Sequence, residues 1–227
     1  MRLQAGMVQV AGVIDRAEAQ LLIDCGVRYL GFPLRLPVNA EDLSEAQAAA
    51  LIAGLPESVD GVLITYLERA QAVIDFCAEL GVAIVQLHGA IDPQELVKIR
   101  MQAPQLQLIK SLVVRGDNLN ELKQTIAATA PFVDAYITDT FDPASGAEGA
   151  TGLTHDWAID RQLVALSPRP VILAGGLNPD NVAEAIRTVR PFGVDVHTGI
   201  EGADGRKDRE MTERFVSEAA RGFATIV

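Results

Sequence analysis

The chain has 227 residues, with 30 acidic against 19 basic side chains and a net charge of −11. That excess argues against nonspecific binding to nucleic acid or to anionic membranes, because the average field repels phosphate polymers. A hydrophobic fraction of 49% with 22% charged residues belongs to a globular protein able to bury a core, and excludes a disordered chain.

Short β-branched runs alternate with helical patterns along the whole length. "MVQVAGV" reads as a strand and "DRAEAQLLIDCG" as the amphipathic helix after it, with Asp15 as its cap and Gly26 as its stop. "VRYLGF" and "SEAQAAALIAGL" follow, then "DGVLITY" with "ERAQAVIDFCAELG", "AIVQLHG" with "DPQELVKIRMQ", and "LQLIKSLVV" with "DNLNELKQTIAATA". The last three strands are "VDAYITD", "PVILAGG" and "GVDVHTG", followed by helices near Trp157, from Pro179 and from Arg209.

About eight βα units of roughly 25 residues match a (β/α)8 TIM barrel. No Pro/Gly/Ser-rich linker or charge block divides the chain, so a single domain over residues 1–227 is expected. A doubly wound open sheet is the structural competitor; its glycine fingerprint is missing from the first βα turn, "VAGVID". Cys25 and Cys77 each fall in a helical pattern and read as buried structural thiols, with neither a disulfide framework nor metal-ligand spacing. The N-terminal stretch lacks a signal-peptide pattern, and no run is long enough to span a membrane, so a cytoplasmic protein is expected.

Barrel enzymes work at the C-terminal ends of their strands. The exits to inspect are Ala11 and Gly12, Phe32 to Arg35, Thr65, His88, Lys110, Asp139, Gly175 and Gly176, and His197 to Glu201. Two glycine-bearing exits, "LAGGLNPDNV" and "HTGIEG", lie on the final two strands, where barrels commonly hold phosphate. Glycine allows backbone N–H groups to converge on an anion, and Thr198 and His197 add side-chain donors.

"VQLHG", "DAYITDT", "GATG", "HDW", "LAGGLNPDNV" and "GVDVHTGIEGADGRKD", taken together, resemble the phosphoribosylanthranilate isomerase family. The resemblance is collinear from about residue 7 to the C-terminal helix. It implies a TIM barrel without a cofactor, acting on a small phosphorylated sugar-derived substrate by an Amadori rearrangement. It also implies a phosphate held by Gly175, Gly176, Thr198 and Gly199, and Asp139 as the general acid that protonates the ring oxygen. His88 matches the family and is expected to line the mouth.

Three positions depart from the family. Its base is the cysteine of a Lys-x-Cys-Gly pattern on the first strand; here Gln9 stands in place of the lysine and Ala11 in place of the cysteine. After the second strand, Glu41 falls near the place of the arginine that faces the anthranilate carboxylate, while Arg35 lies earlier and is a candidate replacement. His197 stands where serine is common, and is a candidate for phosphate contact or for the missing base. Three readings stay open: a sugar-phosphate isomerase of this family acting on the family's or an altered substrate; a noncatalytic binder of phosphoribosyl ligands; and a lyase or aldolase using Lys110 as a Schiff-base amine. The oligomeric state is not legible.

Overall fold

The computed structural model describes residues 3–37, 41–116, 118–140 and 157–226. Eight parallel strands close into a barrel in chain order: β1 (Met7–Ala11), β2 (Tyr29–Pro33), β3 (Asp60–Thr65), β4 (Ile84–Leu87), β5 (Gln107–Val114), β6 (Ala135–Thr140), β7 (Val171–Leu173) and β8 (Gly193–Val196). The helices between and after them are α1 (Arg16–Asp24), α2 (Glu45–Ile52), α3 (Ala70–Leu80), α4 (Pro93–Gln102), α5 (Leu119–Thr129), α6 (Trp157–Leu166), α7 (Val182–Val189) and α8 (Arg209–Phe223). Closure is made by β1 on β8, with Gln9 opposite Asp195 and Val10 opposite Val196, which rules out the open doubly wound sheet. Among the described residues no helix is long and apolar enough to cross a membrane.

Local chemistry sets the helix boundaries. Asp15 accepts from the Glu18 amide at 2.8 Å, Ser44 forms a capping box with Gln47, Asp92 caps α4 ahead of Pro93, and Asp208 accepts from Met211 N. Each satisfies amides that the first helical turn leaves without partners. Helix α7 starts at Val182 rather than at Pro179, because the Asn181 side chain accepts from Asn178 N and holds residues 178–181 in a turn. Cys77 is buried, but Cys25 is only partly so. It caps α1 at the surface beside Arg209, which corrects the expectation of two buried thiols.

Alternation along each strand divides the apolar residues between two cores. Met7, Ala11, Val62, Ile64, Ile84, Ile109, Ile137 and Ile172 fill the barrel interior, while Val10, Leu30, Leu63, Val85, Leu108, Leu112, Leu173 and Val194 face the helices. Burial on both faces is what a parallel sheet sheathed in helices requires. The interior has little room where the barrel closes: a Cβ on Gly193 would lie 2.3 Å from Met7 Cγ and 2.9 Å from its carbonyl oxygen. Gly193→Ala is therefore expected to cost about 1–3 kcal/mol by overpacking, measured as a lower midpoint in urea with an unchanged slope.

Candidate active site

The same alternation decides which polar residues enter the barrel. Gln9 lies between Met7 and Ala11, Gln86 and His88 continue the parity of Ile84, Ser111 that of Ile109, and Asp139 that of Ile137. On β8, Val194 and Val196 belong to the outer core, so Asp195 faces inward. Gln86, His88, Ser111 and Asp139 lie further along their strands than Ile84, Ile109 and Ile137, toward the carboxyl ends.

They form a connected set. Gln9 Nε2 donates to Gln86 Oε1 at 2.8 Å, and Gln86 Nε2 lies 2.7 Å from His88 Nε2. With that amide orientation, His88 Nε2 is an acceptor and its proton sits on Nδ1. Burial, and then the charge of Lys110, push His88 down to about 3, so it is a neutral imidazole. Its Nε2 lies 3.6 Å from Asp139 Oδ2, and its ring stacks on Tyr66 with centroids 5.4 Å apart. The other carboxylate oxygen of Asp139 accepts from the Thr140 amide at 2.8 Å. Across the barrel, Asp195 Oδ1 is enclosed without a hydrogen-bond partner. Burial and the charge of Asp139 raise this carboxyl from 3.8 to about 7, against smaller opposing effects from the Gln9 amide and Lys207.

The exits of β7 and β8 come together beside this interior. Gly175 and Gly176 have φ of 98° and 60°, which a side chain with a Cβ rarely adopts. A Cβ on Gly199 would fall 1.8 Å from the carbonyl oxygen of Leu177, so glycine there lets the two loops touch. Asn181 Nδ2 donates to Gly176 O at 3.0 Å, which fixes the first loop. Among the described residues, the amides of Gly175, Gly176, Thr198 and Gly199 donate to no carbonyl in a turn or loop. Two touching glycine loops of this kind can offer backbone donors to an anion.

His197 leaves β8 with its ring against Gly12, where an added Cβ would meet Nε2 at 2.1 Å. This brings it beside the Ala11 end of β1. Its Nε2 lies 3.7 Å from Glu201 Oε1, and Glu201 in turn pairs with the buried Lys207 at 2.6 Å. Burial and the Lys207 charge push His197 down to about 4.

Two sequence candidates lie away from this interior. Arg35, at φ 54°, bonds Glu45 on α2 at 2.8 Å and lies 3.6 Å over the Phe76 ring of α3, while its own amide donates to Glu41. The side chain is held on the flank between helices and is not brought to the mouth. Lys110 lies in the middle of β5, not at its exit, and shares the helix-facing side with Leu108 and Leu112. Its ammonium donates to Ser111 O at 3.1 Å and Leu87 O at 3.4 Å. Burial lowers it to about 8, but the amine faces strand carbonyls, so the geometry does not favour a Schiff-base lysine.

Comparison with known proteins shows the family. The profile of the N-(5'phosphoribosyl)anthranilate (PRA) isomerase family matches residues 8–218. The chain belongs to the phosphoribosylanthranilate isomerase family. It is 36% identical over 220 residues to N-(5'-phosphoribosyl)anthranilate isomerase 2 of Methanosarcina mazei, with 95% of each chain covered. It is 37% identical over 218 residues to the isomerase of Haloferax volcanii, covering 95% of this chain and 94% of the other. The phosphoribosyl anthranilate isomerase of Thermotoga maritima superposes with a TM-score of 0.79 at 28% identity, covering 94% of this chain and 98% of that one. A further structure of such an isomerase, in complex with reduced 1-(o-carboxyphenylamino)-1-deoxyribulose 5-phosphate, gives 0.77 at 26% identity with the same coverage.

Within this isomerase fold, sequence reading missed Asp195, Gln9 as its neighbour, and the bridge through Gln86. Counting back two residues from His197 along "GVDVH" places Asp195 on the same inward face, a signal that period-two alternation carries. The motifs "GATG" and most of "HDW", with Asp142 and Asp156, lie outside the described residues.

A carboxyl raised in the fold from 3.8 to about 7 is favoured there in its neutral form, so it withdraws stability as pH climbs through that window. Asp195→Asn is expected to stabilise the protein by on the order of 2 kcal/mol at pH 8, after discounting for partial exposure. The gain should vanish near pH 4, which paired thermal melts at the two pH values would show.

Proposed function

We infer that the protein isomerises N-(5′-phosphoribosyl)anthranilate, an aminoaldose phosphate, to the corresponding aminoketose phosphate. The observation that supports this best is the buried carboxyl of Asp139 at the exit of β6, beside a neutral imidazole and on the same barrel mouth as the glycine loops of β7 and β8. A phosphorylated sugar seated on those loops would extend its reacting carbons into the polar interior.

In this reading the backbone amides of Gly175, Gly176, Thr198 and Gly199 receive the phosphate, with the Thr198 hydroxyl as a further donor and neutral His197 at the rim. Backbone donors suit an anion without requiring a lysine, which fits a chain of net charge −11. Asp139 gives its proton to the ring oxygen as the sugar opens to the protonated imine, with the Thr140 amide holding its other oxygen and the neutral His88 ring beside it. The anthranilate end is the remodelled end of the site, since Arg35 is committed to Glu45 and Phe76.

Single-turnover conversion, followed by loss of anthranilate fluorescence at high enzyme concentration, tests the reaction. Wild type is expected to convert the substrate and Asp139→Asn to be at least ~100-fold slower, as removal of a general acid implies. Absence of wild-type conversion would support a noncatalytic binder instead. Gly199→Ala, which forces the two loops apart, is expected to raise KM by on the order of tenfold with a smaller change in kcat.

A further inference from the structure

The reaction needs a group to take the proton from C2′ of the opened substrate, and the methyl group of Ala11 cannot. We propose that Asp195, on the strand that closes the barrel against β1, is the base that removes the C2′ proton, and that the uncharged Gln9 beside it leaves it able to act. This rests on the isomerase reading above and names the second catalytic group of that site.

Four observations carry the assignment. Asp195 is the register partner of Gln9, two residues before the position of Ala11, and it faces the barrel interior. One of its carboxylate oxygens is enclosed and has no hydrogen-bond partner, an expensive arrangement that a structural carboxylate would normally resolve. Asp139 faces the same interior from β6 and its charge opposes ionisation of Asp195, so the two carboxyls are coupled and ionisation of one disfavours ionisation of the other. Turnover draws on the microstate in which Asp139 carries a proton and Asp195 is ionised. Finally, the alternative base is weak: the ring of His197 is turned over Gly12 toward Glu201, and burial beside Lys207 holds it near 4, against about 7 for Asp195.

Gln9 is part of the device. A cation at this position would pair with Asp195 and hold it ionised but weakly basic. An amide satisfies part of the carboxylate without that charge, and passes its other hydrogen bond to Gln86. The other groups on this side are Lys207, which acts on Asp195 through its charge, its partner Glu201 and His197, with Ala11 on β1 and Ile172 on β7 among the inward apolar residues. Only Lys207 among them is cationic, and its ammonium is bound to Glu201.

The step balances. Asp139 donates to the ring oxygen, the C1′–O bond breaks, and the nitrogen pair forms the protonated imine. Asp195 takes the C2′ proton, the C2′–H pair becomes the C1′=C2′ bond, and the imine π pair returns to nitrogen. The enolamine then gains a proton at C1′ and loses one from its C2′ hydroxyl to give the ketone. Asp195 ends protonated and Asp139 ionised, and one proton exchanged with solvent resets the pair.

The test is the pH dependence of kcat/KM for phosphoribosylanthranilate in wild type, Asp195→Asn and Gln9→Lys. Binding of reduced 1-(o-carboxyphenylamino)-1-deoxyribulose 5-phosphate serves as the folding control. In wild type, kcat/KM is expected to fall tenfold per unit below an inflection near pH 7. Asp195→Asn should lose at least ~100-fold in kcat while still binding the analogue, and Gln9→Lys should move the inflection down by one unit or more. Turnover by Asp195→Asn within tenfold of wild type overturns the assignment, as does an inflection that Gln9→Lys leaves in place. Failure of wild type to convert the substrate would instead overturn the isomerase reading.

Discussion

The site depends on the closure of the barrel by β1 and β8. Pairing Gln9 with Asp195 does more than complete a ladder of hydrogen bonds. It brings residues 186 positions apart in the chain into one polar layer, and it sets the β8 exit beside the β1 exit, so that His197 rests on Gly12. The tightness of that seam is visible at Gly193, where no side chain fits against Met7. An open sheet made of the same eight strands would leave the amide and the carboxylate on opposite edges.

Below this layer the interior is filled with apolar side chains, and above it lies the mouth. A buried polar layer in such a place is costly unless its members satisfy one another. The bonds from Gln9 to Gln86 and from Gln86 to His88 do so in part, but the enclosed Asp195 oxygen and His88 Nδ1 are left without partners. Unsatisfied buried groups at the mouth end of the barrel are what a site adapted to a ligand, rather than to its own stability, would show. The outer core carries the stability that this layer withholds, with Phe76, Leu96, Ile99 and Phe215 fully buried between strands and helices.

Much of this was legible before any coordinates. Period-two runs and capped helices marked out the eight βα units, because buried parallel strands and amphipathic helices leave different periodicities. Glycines at the last two exits marked the two loops that touch, since Gly175 and Gly176 turn with positive φ and Gly199 lets the β8 loop meet Leu177. What escaped was set by long-range contact. Lys110 reads as a strand exit until the true end of β5 at Val114 shows it to lie mid-strand on the outer face. Arg35 reads as a loop cation available to a ligand until α2 and α3 are packed beside it and supply Glu45 and Phe76. In neither case does local sequence say which neighbour the fold will bring.

The substitutions at the first strand make most sense as a coupled set. Replacement of a cysteine by Ala11 alone would remove a proton acceptor and leave the rest of the mouth unchanged. On the family pattern Gln9 stands in place of a lysine, and an amide there leaves Asp195, its register partner, without a cation on the facing strand. A carboxylate paired with a cation is a stable but feeble base, whereas one beside an amide and facing a second carboxylate is less stable and more basic. The same burial and charge that lift Asp195 to about 7 therefore impose its cost to folding and, in the role proposed for it, supply its capacity for proton transfer. A change at residue 9 that removes the first removes the second with it.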